Sequence, residues 1–84
     1  MLLEKNWFIE EEIENILILS HEKEEKIIVL DTVNNKMIEK YFDMFEINNK
    51  DIINMLEFLK VNDSVIRKYK KSNLYRLIER FESE

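Results

Sequence analysis

No glycine and no proline occur anywhere in this chain of 84 residues. Both residue types normally make the tight turns of small folds, because glycine reaches positive φ without steric cost and proline fixes the backbone. Other residues must therefore make the turns here, and asparagine tolerates the left-handed region best. We expect turns or helix caps at four polar pairs: Asn34-Asn35, Asn48-Asn49, Asn62-Asp63 and Ser72-Asn73.

The absence of glycine and cysteine also removes most recognisable site chemistry. Phosphate-binding loops, nucleophile elbows and EF-hand calcium loops need glycine. Thiolate metal sites, thiol nucleophiles and disulfides need cysteine. Histidine occurs once, as His21, so a metal site built from several histidines is excluded. We therefore predict a protein that is not an enzyme and that uses no metal and no cofactor.

Length and apolar content predict a single domain over residues 1–84 without a linker. Ile, Leu, Val and Phe account for 30 of the 84 residues, which is well above the roughly 20% below which chains tend to stay disordered. The longest apolar runs have four residues, whereas a membrane-spanning helix needs about 20. With no visible secretion signal, we expect a soluble, cytoplasmic protein that does not contact a membrane.

Two apolar runs predict a β-hairpin. Residues 15–20 and 26–33 contain consecutive Ile, Leu and Val, which suit a buried strand better than one face of a helix. Residues 21–25 between them are polar and have the length of a hairpin loop. A two-stranded ribbon alone would be marginal, so we expect helices packed on one of its faces.

Helical periodicity predicts the other elements. Residues 2–15 are expected to form a short amphipathic helix, residues 35–47 a second helix, and a third begins at Asn48 or Asn49. The last helix begins at Asn62 or Asp63 and runs to Phe81, and the polar run 70–73 can break it in two. The predicted class is α+β: a small single domain with a two-stranded antiparallel hairpin (about 15–33) packed against three or four helices. An all-α bundle is the alternative if the two apolar runs are helical.

Charge is distributed unevenly along the chain. The net charge is −5, with −6 on residues 1–31 and +3 on residues 60–84. Seven carboxylates fall within sixteen residues, and a surface of this kind can steer docking onto a basic surface of another protein. The predicted partner-binding acids are Glu10, Glu11, Glu12, Glu14, Glu22, Glu24 and Glu25. Their spacing matches no metal-ligand pattern, with or without His21.

Four apolar side chains are predicted as anchors for a partner or for association into a homodimer: Trp7, Phe8, Met44 and Phe58. Trp7 and Phe8 are adjacent and cannot both face the interior. The predicted helix over residues 35–47 is apolar over more than one stripe, which leaves some of its surface exposed. Methionine and aromatic side chains are favoured at such interfaces.

Residues 59–69 read Leu-Lys-Val-Asn-Asp-Ser-Val-Ile-Arg-Lys-Tyr. A leucine, a turn residue, an apolar residue and a small polar cap here lead into a helix with two consecutive buried positions, Val65 and Ile66. This stretch resembles the turn and recognition helix of helix-turn-helix DNA-binding domains, although Lys60 stands where that motif usually has glycine and Leu56 where it usually has a small residue. The resemblance implies DNA contacts within residues 62–76, from Asp63, Ser64, Arg67, Lys68, Lys70, Lys71 and Arg76.

These features predict a non-enzymatic regulatory or inhibitory protein that binds another protein through its acidic N-terminal half. A preference for Ile, Lys, Asn and Glu suggests a gene of low G+C content. This bias favours an accessory protein of a phage or mobile element that binds a host or defence protein, for instance a nuclease. The alternative is a small helix-turn-helix transcriptional regulator that uses residues 62–76 and binds DNA.

Overall fold

The computed structural model describes residues 6–42 and 47–82. Within them, four strands precede three helices: β1 (Trp7–Ile13), β2 (Ile16–His21), β3 (Lys26–Asp31), β4 (Lys36–Tyr41), α1 (Asn49–Phe58), α2 (Asp63–Tyr69) and α3 (Asn73–Glu82). The strands form one antiparallel sheet in the order β1-β2-β3-β4. The α+β class and the hairpin, here β2 and β3, are confirmed. The all-α alternative is wrong, and the sheet has four strands instead of two.

The predicted helix over residues 2–15 is wrong, because residues 7–13 form the edge strand β1. Ile9 pairs with Leu19 while Glu11 pairs with the next residue, Ile18, so Glu10 is the extra residue of a β-bulge. A bulge shifts the alternation of side chains by one position. Ile9 and Ile13 consequently lie on opposite faces of the sheet, although their spacing of four imitates one stripe of a helix.

The predicted helix over residues 35–47 is also wrong in its first half, where Lys36–Tyr41 forms β4. Ile38 and Tyr41 show helical spacing in the sequence, but they point to opposite faces of the strand. β4 lies at the edge of the sheet and most of its residues are exposed. Its sequence therefore does not show the alternation of apolar and polar residues by which a half-buried strand is identified. Residues 43–46, the later part of this predicted helix, lie outside the described residues.

The two faces of the sheet have different surroundings. Ile16, Ile18, Ile27 and Val29 face the helices and belong to one buried core, to which the helices contribute a second group: Ile52, Met55, Leu56, Val65, Tyr69, Leu74 and Ile78. The alternate residues of β2 and β3 point to the other face. Of these, Leu19 and Ile28 are buried but are not part of the core cluster that the helices share. The helical layer therefore covers one face, and we call the opposite one the outer face.

The asparagine-containing pairs mark turns and caps as predicted. Asn35 has a φ of 52°, and the side chain of Asn48 accepts a hydrogen bond from the backbone N–H of Asp51 at the start of α1. Asn62 precedes α2, and Ser72 Oγ accepts from the backbone N–H of Tyr75 in the first turn of α3. The expected break of the last helix within residues 70–73 is also confirmed.

Candidate functional site

The seven predicted acids are not gathered on one surface. Glu14 lies in the β1–β2 turn, whereas Glu22, Glu24 and Glu25 lie in the β2–β3 loop at the other end of β2. A strand of this length keeps two such groups about 17–20 Å apart. The structure therefore divides the acidic stretch between the two ends of the sheet, and only part of it can meet any one partner segment.

Carboxylates of β1 and its turn bind groups of the same chain. Glu10 accepts a hydrogen bond from Ser20 Oγ at 2.6 Å. Glu11 accepts from the backbone N–H of Leu74 in the first turn of α3 at 3.2 Å. Glu14 accepts from Ser64 Oγ at 2.9 Å and lies 3.5 Å from Lys68 Nζ. Glu11 and Glu14 thus attach α3 and α2 to the edge of the sheet.

Glu24 belongs to a charge cluster at the end of the outer face. Lys26 Nζ lies 3.0 Å from its carboxylate and 3.4 Å from that of Glu39. The hydrogen bond from Lys26 lowers the pKa of Glu24, and the same bond raises the pKa of Lys26. The backbone N–H of Glu24 also donates to Nδ1 of His21, which orders the loop. Both charges of the pair are therefore neutralised within the chain.

Glu10, Glu22 and Glu25 border a groove between the sheet and α3. Two adjoining cavities of about 230 and 160 Å³ share Glu10, Ser20, Ile27 and Ile47. The first extends past Phe8 to the β2–β3 loop, where Glu22 and Glu25 line it beside His21 and Lys26. The second extends along α3, where Leu74, Leu77, Ile78 and Phe81 line it. We call this combined surface the acidic groove.

The walls of the acidic groove are apolar and open to solvent. Phe8 is 51% exposed, Leu77 47% and Phe81 56%. Their distance along the sequence explains why no local pattern identified the groove. The sequence does carry one signal for the helical wall of the groove. The apolar stripe of the last helix is wide, because Leu77 lies next to Ile78, and only Ile78 is buried in the core.

The predicted apolar anchors lie in separate places. Phe8 lines the acidic groove, while Trp7 lies on the outer face with its ring edge-on to His21 at 4.7 Å between centroids. This arrangement agrees with the expectation that the two residues could not both face inward. Phe58 is exposed at the last residue of α1, away from both surfaces. Met44 lies outside the described residues.

The segment that resembles a helix-turn-helix consists of α1, a turn and α2. Lys60 in the turn has a φ of 56°, the left-handed conformation that glycine adopts most easily. Val65 is buried, as expected, while its neighbour Ile66 is half-buried. Of the predicted DNA contacts, Ser64 and Lys68 face Glu14. The others are exposed: Asp63, Arg67, Lys70, Lys71 and Arg76.

The helical layer contains a buried polar cluster. Tyr69 donates its hydroxyl hydrogen to Oδ1 of Asn49 at 2.6 Å, and Asn49 Nδ2 donates to the backbone carbonyl of Tyr75 at 3.0 Å. Burial raises the pKa of the Tyr69 hydroxyl, and the carboxylate of Glu82 adds to this effect. Tyr69 therefore stays a neutral donor, and the cluster serves to join the helices.

The described residues contain no group of three or more histidine, aspartate or glutamate side chains placed to hold a metal ion. No helix among them is both long and apolar enough to cross a membrane. Comparison with protein families, curated proteins and solved structures finds no match to this chain. The functional argument therefore depends on the surfaces described above.

Proposed function

We propose that this chain is a non-enzymatic regulatory or inhibitory protein that binds a basic, apolar segment of another protein in the acidic groove. The observation that carries the proposal is the presence of exposed apolar walls and a border of carboxylates in one groove. Burial of apolar area would supply most of the affinity, and the carboxylates would select basic neighbours of the anchoring side chain.

The apolar walls favour insertion of side chains from a partner. Phe8 and Phe81 are large and more than half exposed, and Leu77 lies between the two ends of the groove. The groove is elongated, with Phe8 at one end and Phe81 at the other, and it has exposed walls, whereas small-molecule sites enclose most of their ligand. A few leucine or phenylalanine side chains of a protein segment fit such a surface better than a metabolite does.

The charges at the groove favour a basic partner. Glu22 and Glu25 are exposed in the β2–β3 loop, and Glu10 lies at the centre, where both cavities meet. Of the two lysines at the same end, Lys26 is already held by Glu24 and Glu39, and Lys23 is exposed in the loop and offsets one of the carboxylates. Lysine or arginine residues of a bound segment would therefore meet unbalanced negative charge. A small acidic protein that occupies a basic surface in this way suits a phage or mobile-element accessory protein directed at a host or defence protein.

A peptide-display selection tests this proposal, with the intact chain as bait and a random library as the probe. We expect the selected peptides to combine apolar residues with Lys or Arg. Leu77→Lys, or the pair Glu22→Lys and Glu25→Lys, should weaken their binding at least about tenfold, equivalent to 1.4 kcal/mol. Fluorescence anisotropy with a labelled selected peptide measures the change.

Matched controls carry the same substitutions at exposed positions outside the groove. Phe58→Lys is the control for the apolar wall, and the pair Glu12→Lys and Glu57→Lys is the control for the border. Both should bind like the wild type. Selected peptides without basic residues, or affinities that fall equally in the controls, would disprove the proposal.

A second candidate is DNA binding through residues 62–76. It is favoured by the order helix, turn, helix in α1 and α2, and by the left-handed conformation of Lys60. Exposed cations at Arg67, Lys70 and Lys71 could bind phosphates. Against it, Glu14 occupies two side chains that would contact DNA, and α2 has only seven residues.

Duplex DNA binding separates the two candidates. Under the first proposal, we expect no binding at low salt. Binding that falls steeply with salt concentration, and that is lost when Arg67, Lys68 and Lys71 are replaced with alanine, would establish the second candidate instead. Electrophoretic mobility shift or anisotropy with a duplex of random sequence is sufficient, because phosphate contacts dominate non-specific affinity.

A further inference from the structure

α3 presents two neighbouring rows of apolar side chains. Leu74 and Ile78, which are four residues apart, are buried and belong to the core. Leu77 and Phe81, also four residues apart, are exposed and line the acidic groove. Residues with this spacing lie one above the other on a helix. The second row therefore forms an exposed apolar ridge along α3, beside the row that packs into the core.

The floor of the acidic groove is a face of the sheet and not an edge. Phe8 of β1 pairs with Ser20 of β2, and Ser20 pairs with Ile27 of β3, so the three side chains form one row across the strands. All three line the groove. Because β2 is paired with a strand on both sides in this row, an extended segment lying on it finds no strand edge to pair with. Its own N–H and C=O groups would be buried without partners.

A helix can occupy this groove without that cost, because its backbone groups bond to each other. Helices bound in grooves place apolar side chains at positions i, i+3, i+4 and i+7. A row of this kind can pack beside the ridge of Leu77 and Phe81, as the ridges and grooves of paired helices do. The wall of α3 from Leu74 to Phe81 is about 10 Å long at 1.5 Å per residue, so a partner helix of about three turns covers it.

The two sides of the acidic groove carry opposite charge. On one side, the β2–β3 loop contributes the carboxylates described above. On the other side, Leu77 also lines a neighbouring cavity, which it shares with the exposed Arg76 and Arg80. Glu79 lines this cavity too, but lies further round α3 from Leu77 than the two arginines do. A helix in the groove therefore gains from Lys or Arg on one flank of its apolar stripe and from Asp or Glu on the other.

We propose that the segment bound in the acidic groove is an amphipathic α-helix that lies along α3. Its apolar stripe packs on Phe8, Leu77 and Phe81. Its basic flank meets the carboxylates of the β2–β3 loop, and its acidic flank meets Arg76 and Arg80. This inference rests on the proposed function, and it narrows the partner from any basic, apolar segment to one that is helical when bound.

Two synthetic peptides of identical composition, each of about 14 residues, test the proposal on the intact chain. In the first, leucines have the spacing of a helix, with lysines on one flank and glutamates on the other. In the second, the same leucines alternate with the charged residues, which is the period of a strand. We expect the first to bind at least about tenfold more tightly in fluorescence anisotropy, and to gain helical circular dichroism on binding. Proline at its centre should remove this advantage.

Substitutions in the chain test where the first peptide lies. Leu77→Lys should weaken its binding at least about tenfold, and the pair Arg76→Glu and Arg80→Glu at least about fivefold. The matched pair Arg67→Glu and Lys71→Glu changes the net charge equally at exposed positions and should leave the affinity unchanged. Circular dichroism melts of each variant separate loss of binding from loss of folding.

The outcomes separate this inference from the proposed function. Equal affinities of the two peptides, both lowered by Leu77→Lys, would disprove the helical partner and leave the proposed function standing. Display-selected peptides that bind in the groove without gaining helical signal would do the same. If neither synthetic peptide binds, the helical partner is disproved, and the display selection decides the proposed function by itself. An affinity that does not change in the Arg76 and Arg80 variant would disprove the acidic flank.

Discussion

Lys60 ends α1 in a conformation that usually belongs to glycine. Its backbone N–H donates to the carbonyl of Glu57 at 2.9 Å, and the N–H of Val61 donates to that of Leu56 at 3.4 Å. These two bonds, together with the left-handed conformation of Lys60, form a Schellman cap. In this conformation the Cβ atom of Lys60 crowds the following carbonyl oxygen, and the rest of the side chain does not relieve that contact.

Lys60→Gly should therefore stabilise the fold. We expect the free energy of unfolding to rise by about 0.5–1 kcal/mol, since the left-handed conformation costs a non-glycine residue ~1–2 kcal/mol and glycine loses ~0.5–1 kcal/mol in extra chain entropy. Urea unfolding measures the change. Lys60→Ala keeps Cβ and should bring no gain, and Asn35→Gly should gain less because asparagine tolerates this region. A destabilised Lys60→Gly would contradict the argument.

Asp31 should make the stability depend on pH. The nearly buried carboxylate accepts hydrogen bonds from Asn34 Nδ2 at 2.8 Å, from the backbone N–H groups of Asn34 and Val33, and from Asn15 Nδ2 at 2.7 Å. The Asn34 side chain is the first cause that lowers the pKa of Asp31 below its ordinary value of 3.8. The stability that Asp31 contributes is complete above the pKa of the carboxyl in the unfolded chain. It is lost as the pH falls through the lower pKa of the folded protein.

We accordingly expect Asp31→Asn to be less stable than the wild type at neutral pH. The amide keeps one oxygen for the three donors that bind Oδ1, but it loses the negative charge and puts an NH₂ donor where Oδ2 accepts from Asn34 Nδ2. The difference should narrow as the wild-type carboxylate is protonated below about pH 3.8. Urea unfolding of both proteins at each pH measures it, and the shared titration of the other acids cancels in the comparison. A difference that stays constant down to about pH 2 would show that Asp31 is not titrating as described.

At the scale of elements, β1 connects the two layers. Glu11 accepts from a backbone N–H in the first turn of α3, where unpaired N–H groups and the helix dipole favour a carboxylate. Glu14 binds α2 through the side chains of Ser64 and Lys68. Neighbouring residues of β1 point to opposite faces of the sheet. Glu11 points to the helices, whereas Glu12 points to the outer face.

Glu11→Ala should destabilise the fold by about 1 kcal/mol, as the loss of a helix cap does. Glu12→Ala, its neighbour with the same charge, should stay within about 0.5 kcal/mol of the wild type. Chemical denaturation of both variants tests whether the loss of stability depends on the position of the carboxylate or only on its charge. Equal effects would mean that the hydrogen bond to Leu74 contributes nothing beyond charge.

How much of the fold the sequence could predict differs between elements. β2, β3 and the helices were predictable because consecutive apolar residues and polar caps are local signals. β1 and β4 were not, since a bulge at Glu10 imitates helical spacing and β4 is an exposed edge. The acidic groove combines Phe8 with Leu77 and Phe81, and a local pattern cannot show which distant residues a fold brings together. The sequence indicated Glu10, Glu22 and Glu25 as binding residues. It did not indicate which of the seven acids would share a surface.

For the whole molecule, the position of the sheet explains where the acidic groove lies. A chain of this length buries only about 60% of its unfolded surface, so some apolar side chains must remain accessible. The helices cover one face of the sheet and leave the acidic groove beside α3, whereas the centre of the outer face, at Leu19 and Ile28, is buried.

The helical layer should unfold as one unit because a single polar cluster joins its members. Asn49 of α1 accepts from Tyr69 of α2, and donates from its side chain to Tyr75 and from its backbone to Glu82, both in α3. Tyr69→Phe removes the hydroxyl and leaves a buried amide oxygen without its donor, which typically costs about 1–3 kcal/mol. We expect this loss in urea unfolding, together with faster hydrogen exchange throughout all three helices.

Tyr75→Phe is the matched control, since Tyr75 enters the cluster through its backbone carbonyl and its ring packs edge-on against Tyr69 at 5.6 Å. It should stay within about 0.5 kcal/mol of the wild type. If Tyr69→Phe instead raised exchange in α2 alone, the cluster would be a local contact and α1 and α3 would be held by the apolar core independently. Coupling across all three helices follows only if each loses its protection to the same extent, because the hydrogen bonds of Asn49 then act as one connection between them.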